Sequence, residues 1–189
     1  MDKATRQKSG NGDRESAWRG NGDVFGNILK TVSGGIAEAA GGAEKVGPLF
    51  LAAVTEVVQR ALSGAVGMGD NLVMGTKAII VGVVRGIGEK GEAALVLLSH
   101  AARSVLRNAA GMGADLAACT KGLILGAIAS AKDLGVDRGK SASAAAQGAL
   151  DGAHDVGSVA VDKVRDALKE AIGGVKVGIP EPSRSESLQ

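Results

Sequence analysis

The sequence predicts an all-α fold: seven short antiparallel helices, built from tandem repeats of about 22 residues, joined by glycine turns and stacked as an α-solenoid or bundle. Three observations predict it. Gly47, Gly69, Gly91, Gly113, Gly135 and Gly157 stand at intervals of 22. Apolar columns recur with the same period. The composition is 45% hydrophobic but only 2% aromatic, with 30 glycines among 189 residues, which suits slim, closely packed elements better than a roomy cavity. Glycine does not recur every third residue, so a collagen-like chain is excluded.

Taken in order, residues 1–23 form a polar segment read as a disordered tail, with no apolar stretch of signal-peptide type. Trp18, flanked by Arg14 and Arg19, is its one notable side chain. It reads as a tail residue, the functional alternative being an anchor for a membrane interface or a partner. Residues 24–179 form the helical repeat domain. One apolar column is Ile36, Val58, Ile80, Ala102, Ile124, Ala146 and Leu168. A second is Ala40, Leu62, Val84, Leu106, Ile128, Leu150 and Ile172. A third is Ala43, Ala65, Ile87, Ala109, Ala131, Ala153 and Val175. Within one unit these positions are separated by four and then three residues, which sets them along one helical face.

Each unit ends on a periodic glycine, because a helix often closes with a residue in the left-handed region. Pro48, Asp70, Glu92, Asp115, Asp137 and Ser158 follow as helix starts, through a rigid first turn, an N-cap oxygen or a favourable charge. Helices of about 17 to 19 residues result, about 25 to 29 Å long. Gly67-Met68-Gly69 returns 44 residues later as Gly111-Met112-Gly113, so helices should pair.

A further column is small: Gly42, Gly64, Gly86, Asn108, Ser130, Gly152 and Gly174. Gly82 with Gly86, Gly122 with Gly126, and Gly148 with Gly152 stand four apart, a spacing that lets backbones approach closely. Each interior glycine costs about 1 kcal/mol relative to alanine, which packing has to offset. Units from Pro48 to Gly135 carry few charges and are expected to need a neighbour: another subunit, a partner or a lipid surface. The last unit, Ser158 to Ile179, carries Asp162, Lys163, Arg165, Asp166, Lys169, Glu170 and Lys176 and reads as a solvated capping helix. Residues 180–189 read as a second disordered tail.

The rival architecture is a set of long continuous helices lying on a surface, since 22 is twice 11. In period the chain resembles the 11- and 22-residue repeats of exchangeable apolipoproteins and other lipid-coating proteins. That resemblance implies a lipid-binding role. The chain departs from the family in charge: between Pro48 and Gly69 only Glu56 and Arg60 are charged.

The motifs that invite chemistry carry little of it. With 22 basic residues scattered among 20 acidic ones, phosphate-driven nucleic-acid binding is not expected. Gly86-Ile87-Gly88-Glu89-Lys90-Gly91 matches the dinucleotide fingerprint as a string, but a helix precedes it where a strand is required. Gly135-Val136-Asp137-Arg138-Gly139-Lys140-Ser141 falls short of a phosphate-binding loop, with Leu134 in the place of the first glycine. Both read as inter-helix turns. His100, His154 and Cys119 lack zinc spacing, and Ser99-His100 adjacency on a helix points the two side chains apart. Cys119, being alone, allows no internal disulfide and reads as a core residue.

No catalytic, cofactor-binding or metal-binding residue is therefore assigned, and no cofactor is expected. The sequence points to a non-enzymatic structural or scaffold protein, cytoplasmic, with a position peripheral to a membrane as the alternative. It would self-associate as a homo-oligomer, or dock a protein partner, through Gly/Ala-rich apolar helices. The alternative is a membrane or lipid-granule surface protein.

Overall fold

A computed structural model describes residues 12–41, 47–67, 69–170 and 172–177; the side chains of residues 12–22 and of Asp70 fall outside that description. Residues 1–11 and the expected tail 180–189 lie outside it, as do the Trp18 side chain, Gly42, Ala43 and Met68. The described residues hold seven α-helices: α1 (Gly12–Gly41), α2 (Pro48–Val66), α3 (Leu72–Ile87), α4 (Gly91–Gly111), α5 (Leu116–Leu134), α6 (Arg138–Val156) and α7 (Ser158–Lys169). A single 3-10 turn, Gly69–Asn71, leads into α3. The helices are separate hairpin rods, not one continuous surface helix.

The boundaries follow the periodic residues most closely at the ends of α4 and α5. Gly113 and Gly135 both take φ of 69°, a left-handed conformation that glycine adopts without steric cost. Beyond each, a backbone N–H reaches back over the last turn: Ala114 to the Ala109 carbonyl at 2.9 Å and Val136 to the Ala131 carbonyl at 3.1 Å. Two residues after each glycine an aspartate caps the next helix. Asp115 Oδ1 accepts from the amides of Ala117 and Ala118, and Asp137 Oδ1 from that of Lys140. Sequence thus places both the stop and the restart.

Elsewhere the turns vary. Gly47 is extended at φ −73° and the helix starts on Pro48. Gly88, not Gly91, closes α3, and Gly91 becomes the first residue of α4. Ser158 begins α7 without capping it. α1 begins at Gly12, inside the segment read as a tail.

The last unit also departs from expectation. α7 has 12 residues and stops at Lys169, so a helix to Ile179 does not form. Gly173 and Gly174 both adopt positive φ, at 58° and 76°, and turn the chain so that Val175 bridges to Ile172. Two adjacent left-handed glycines make a tight reversal that no helix can continue through. A methyl carbon on Gly173 would lie 3.2 Å from the Ile128 side chain and 3.3 Å from that of Leu125, both on α5, and Glu170 pairs with Lys121 at 2.8 Å.

Helices two apart in sequence pack most intimately: α1 with α3, α3 with α5, and α4 with α6. The contacts run in parallel register, because Gly82 faces Val32 while Gly86, one turn on, faces Ile36. A short loop at each end then requires the helix between to run back, so consecutive helices are antiparallel. The result is two layers, α1-α3-α5-α7 and α2-α4-α6, stacked as a solenoid.

The glycine pairs set the spacing within layers. A methyl carbon on Gly86 would lie 2.6 Å from Ile36 Cβ and 2.7 Å from the Ser33 carbonyl oxygen. On Gly122 it would lie 2.5 Å from the Val73 carbonyl oxygen, and on Gly126 2.8 Å from Ile80 Cβ. Gly152 would meet the Arg103 carbonyl oxygen at 2.7 Å. Register differs between layers' joints: Gly82 and Val32 are 50 residues apart, whereas Gly126 and Ile80 are 46 apart. α5 therefore sits one helical turn further along α3 than α3 does along α1.

The first apolar column is buried at every position from Ile36 to Leu168. Burying each of its larger members removes apolar surface worth about 1.5 to 3 kcal/mol. The second and third columns are buried over most of their length, with Ala40, Ile128 and Val175 partly covered. α3 is enclosed by α1, α2, α4 and α5, and α5 by α3, α4, α6 and α7. The neighbours expected for the uncharged middle helices thus come from within the chain. Exposed large apolar side chains are scattered, Leu49 at 81% and Val159 at 69% being the most open.

Candidate functional site

In the layer of α2, α4 and α6, the α2–α4 joint lacks the glycine pair that the α4–α6 joint has. Thr55 on α2 meets Ser104 on α4 at a separation of 49 residues, and Ser99 on α4 meets Gly148 on α6 at the same separation. The two joints are one 44-residue repeat apart and share a register. In the α4–α6 joint the inward positions are Gly148 and Gly152. In the α2–α4 joint the corresponding positions are Ser104 and Asn108, with His100 one turn earlier. Side chains fill the space that glycine elsewhere surrenders to a neighbouring backbone, so α2 and α4 touch less closely than α4 and α6.

A polar network occupies the joint. The Thr55 hydroxyl donates to the Leu51 carbonyl at 3.0 Å, the preceding turn of its own helix. With its proton so placed, Thr55 Oγ1 accepts from Ser104 Oγ and from His100 Nε2, each at 3.2 Å. His100 Nε2 also lies 3.3 Å from the Leu51 carbonyl oxygen, which fixes the proton on Nε2 and leaves Nδ1 as the ring's acceptor. Asn108 Nδ2 donates to the Ser104 carbonyl at 2.9 Å. Burial pushes the His100 pKa down, assisted by nearby Arg103 and opposed by the contact with Leu51, so the ring is neutral at pH 7.

Two guanidiniums stand at the mouth. Arg103 and Arg107 are one turn apart on α4. Arg103 Nε and NH2 grip the Asp155 carboxylate of α6 at 2.7 and 2.9 Å, a two-pronged pair. Arg107 Nε lies further from the same carboxylate, at 3.6 Å. The hydrogen bonds from Arg103 hold the Asp155 carboxyl below its ordinary range. Thr55, His100, Arg103, Ser104, Arg107 and Asn108 together line a cavity of about 350 Å³.

The geometry does not form a nucleophile and base. The Thr55 proton is committed to a backbone carbonyl, His100 acts as donor towards Thr55, and the surrounding backbone amides are engaged in helices. The network offers hydrogen-bonding groups beside two guanidiniums.

The other residues weighed from sequence do not join it. Cys119 is buried on α5, where desolvation pushes its thiol up to about 11, the nearby Thr76 side chain pulling the other way. His154 is exposed near the end of α6. Among the described residues no three potential ligands cluster to hold a metal ion. Gly86 to Gly91 spans the α3–α4 turn and the helix ends beside it, and Gly135 to Ser141 the α5–α6 turn and the start of α6, where the Ser141 hydroxyl donates to the Ala127 carbonyl at 2.7 Å. Sequence reasoning passed over the joint, although the sequence holds two signals of it: Asn108 is the bulkiest member of the small column, and His100, Ser104 and Asn108 follow each other at single turns.

Fold and site together define an all-helical repeat protein of two stacked layers. No family model, curated protein or solved structure matches the chain.

Proposed function

We propose that the chain is a non-enzymatic scaffold, a rigid helical array that works as a single copy and engages a partner at the α2–α4 joint. The observation that carries this reading is the internal use of the glycine faces. Gly82 and Gly86 are filled by α1, Gly122 and Gly126 by α3, and Gly148 and Gly152 by α4. Such faces have no room for a second copy, which weighs against the self-association expected from sequence. A free, buried Cys119 suits a reducing compartment such as the cytoplasm.

The lipid-surface alternative draws on α2, which is long and apolar enough to cross a membrane and of which 28% is buried. Its open side also carries Glu56 and Arg60, paired with each other. That pair favours water over hydrocarbon.

Light scattering coupled to size-exclusion chromatography, with circular dichroism beside anionic vesicles, tests the proposal. The expected result is one copy of 18.7 kDa, fully helical in buffer and unchanged by vesicles. A stable dimer would favour self-association, and helicity that develops only with vesicles would favour the lipid coat.

A further inference from the structure

We propose that the α2–α4 joint binds a small oxyanion, a phosphate or carboxylate group, held at its mouth by the free donors of Arg107 and Arg103 and by the second N–H of the Asn108 amide beneath. The inference rests on the scaffold reading, since it assigns a ligand class to the same groove.

The first argument is the comparison within the chain. The same register, 44 residues on, closes tightly over Gly148 and Gly152 in the α4–α6 joint. Ser104 and Asn108 hold the α2–α4 joint open with polar groups, and Ser104 is only 6% exposed. Burying polar side chains costs free energy unless hydrogen bonds offset it, and an alanine or glycine pair would have avoided that cost. The space, about 350 Å³, has room for a small ion.

The second argument is charge and donor supply. Among the described residues every lining residue is polar, and they include two guanidiniums and no carboxylate. Asp155 answers one positive charge, through its two-pronged contact with Arg103. Arg107, held at 3.6 Å and with 61% of its side chain exposed, keeps most of its donors for another partner. Asp151, the other acid on this side of α6, is engaged by the Gln147 amide at 2.8 Å. A guanidinium fork matches the paired oxygens of a carboxylate or phosphate, and Arg103 can share its outer donors with Arg107.

The test is an NMR titration of the full chain with inorganic phosphate, and in a second arm with succinate, at ionic strength held constant by chloride. Saturable shifts are expected at Thr55, His100, Ser104, Arg107 and Asn108. The tighter of the two arms identifies whether the natural group is a phosphate or a carboxylate. Arg107→Gln should weaken binding at least about tenfold without changing helicity. The double variant Ser104→Gly, Asn108→Gly recreates the Gly148–Gly152 pair and should abolish binding; its circular dichroism shows whether it is folded. Should it unfold, Arg107→Gln alone decides. Shifts that grow linearly, that spread over surface lysines such as Lys77 and Lys132, or that survive Arg107→Gln would overturn the proposal. A monomeric helical protein without saturable binding sinks the oxyanion site and leaves the scaffold standing, whereas failure of the scaffold itself shows in oligomer mass or lipid-dependent helicity.

Discussion

Replacing Gly148 with alanine is expected to destabilise the protein by about 3 kcal/mol or more, at the upper end of what overpacking costs. The added methyl would sit against the Ser99 carbonyl oxygen, 2.8 Å from the carbonyl carbon and 2.9 Å from Ser99 Cα. All three are backbone atoms inside α4, so no side-chain rotation relieves the contact. α6 has to move away from α4, and the buried row Ala142, Ala145, Ala149 and Ala153 loses its close packing. The contrast is Gly64→Ala on α2, where nothing lies within 4 Å. There the helix propensity of alanine acts unopposed and stability should rise by up to about 1 kcal/mol. Urea denaturation of both variants compares them directly, since the same chemical change is predicted to have opposite signs.

Phe50→Ala is expected to cost about 3 to 5 kcal/mol. Phe50 heads the inward row of α2, followed by Val54, Val58 and Leu62, all fully buried. In a chain with 2% aromatic residues it is the largest side chain in the core, and small neighbours leave little to refill the space. Its neighbour Leu49 is 81% exposed, so Leu49→Ala should stay within about 0.5 kcal/mol of the parent. Two adjacent apolar residues thus separate the inside and outside of α2. Equal effects at both positions would mean that something outside the described fold covers the outer face.

Much of this was legible in the sequence. The 22-residue period located the helices, and the column from Ile36 to Leu168 lies buried throughout, because a strict period returns each residue to the same face. Gly113 and Gly135, with Asp115 and Asp137 beyond them, specify their turns through local chemistry alone. The spacing of Gly82 from Gly86 and of Gly148 from Gly152 also announced close backbones. It did not announce whose. A small-residue face fits a second copy as well as a second helix, and the choice depends on which rods the loops bring side by side. The one-turn shift between the α1–α3 and α3–α5 joints is likewise invisible, since both use glycine pairs four apart. At the C-terminal end Gly174 continued its column in sequence, but beside Gly173 it turns the chain instead of spacing helices. The polar joint escaped because Ser104, Asn108 and His100 mean little until Thr55, 49 residues before Ser104, is placed against them.

Glycine-set stacking of alternate helices is tested most directly by inter-helix NOEs in the intact protein. The Gly148 position and Ser99 Cα approach so closely that their Hα protons should give a strong cross-peak, accompanied by Gly82 to Val32 and Gly126 to Ile80. Cross-peaks from Gly148 Hα to α5 in place of α4, or their appearance only between differently labelled copies of the chain, would contradict the account.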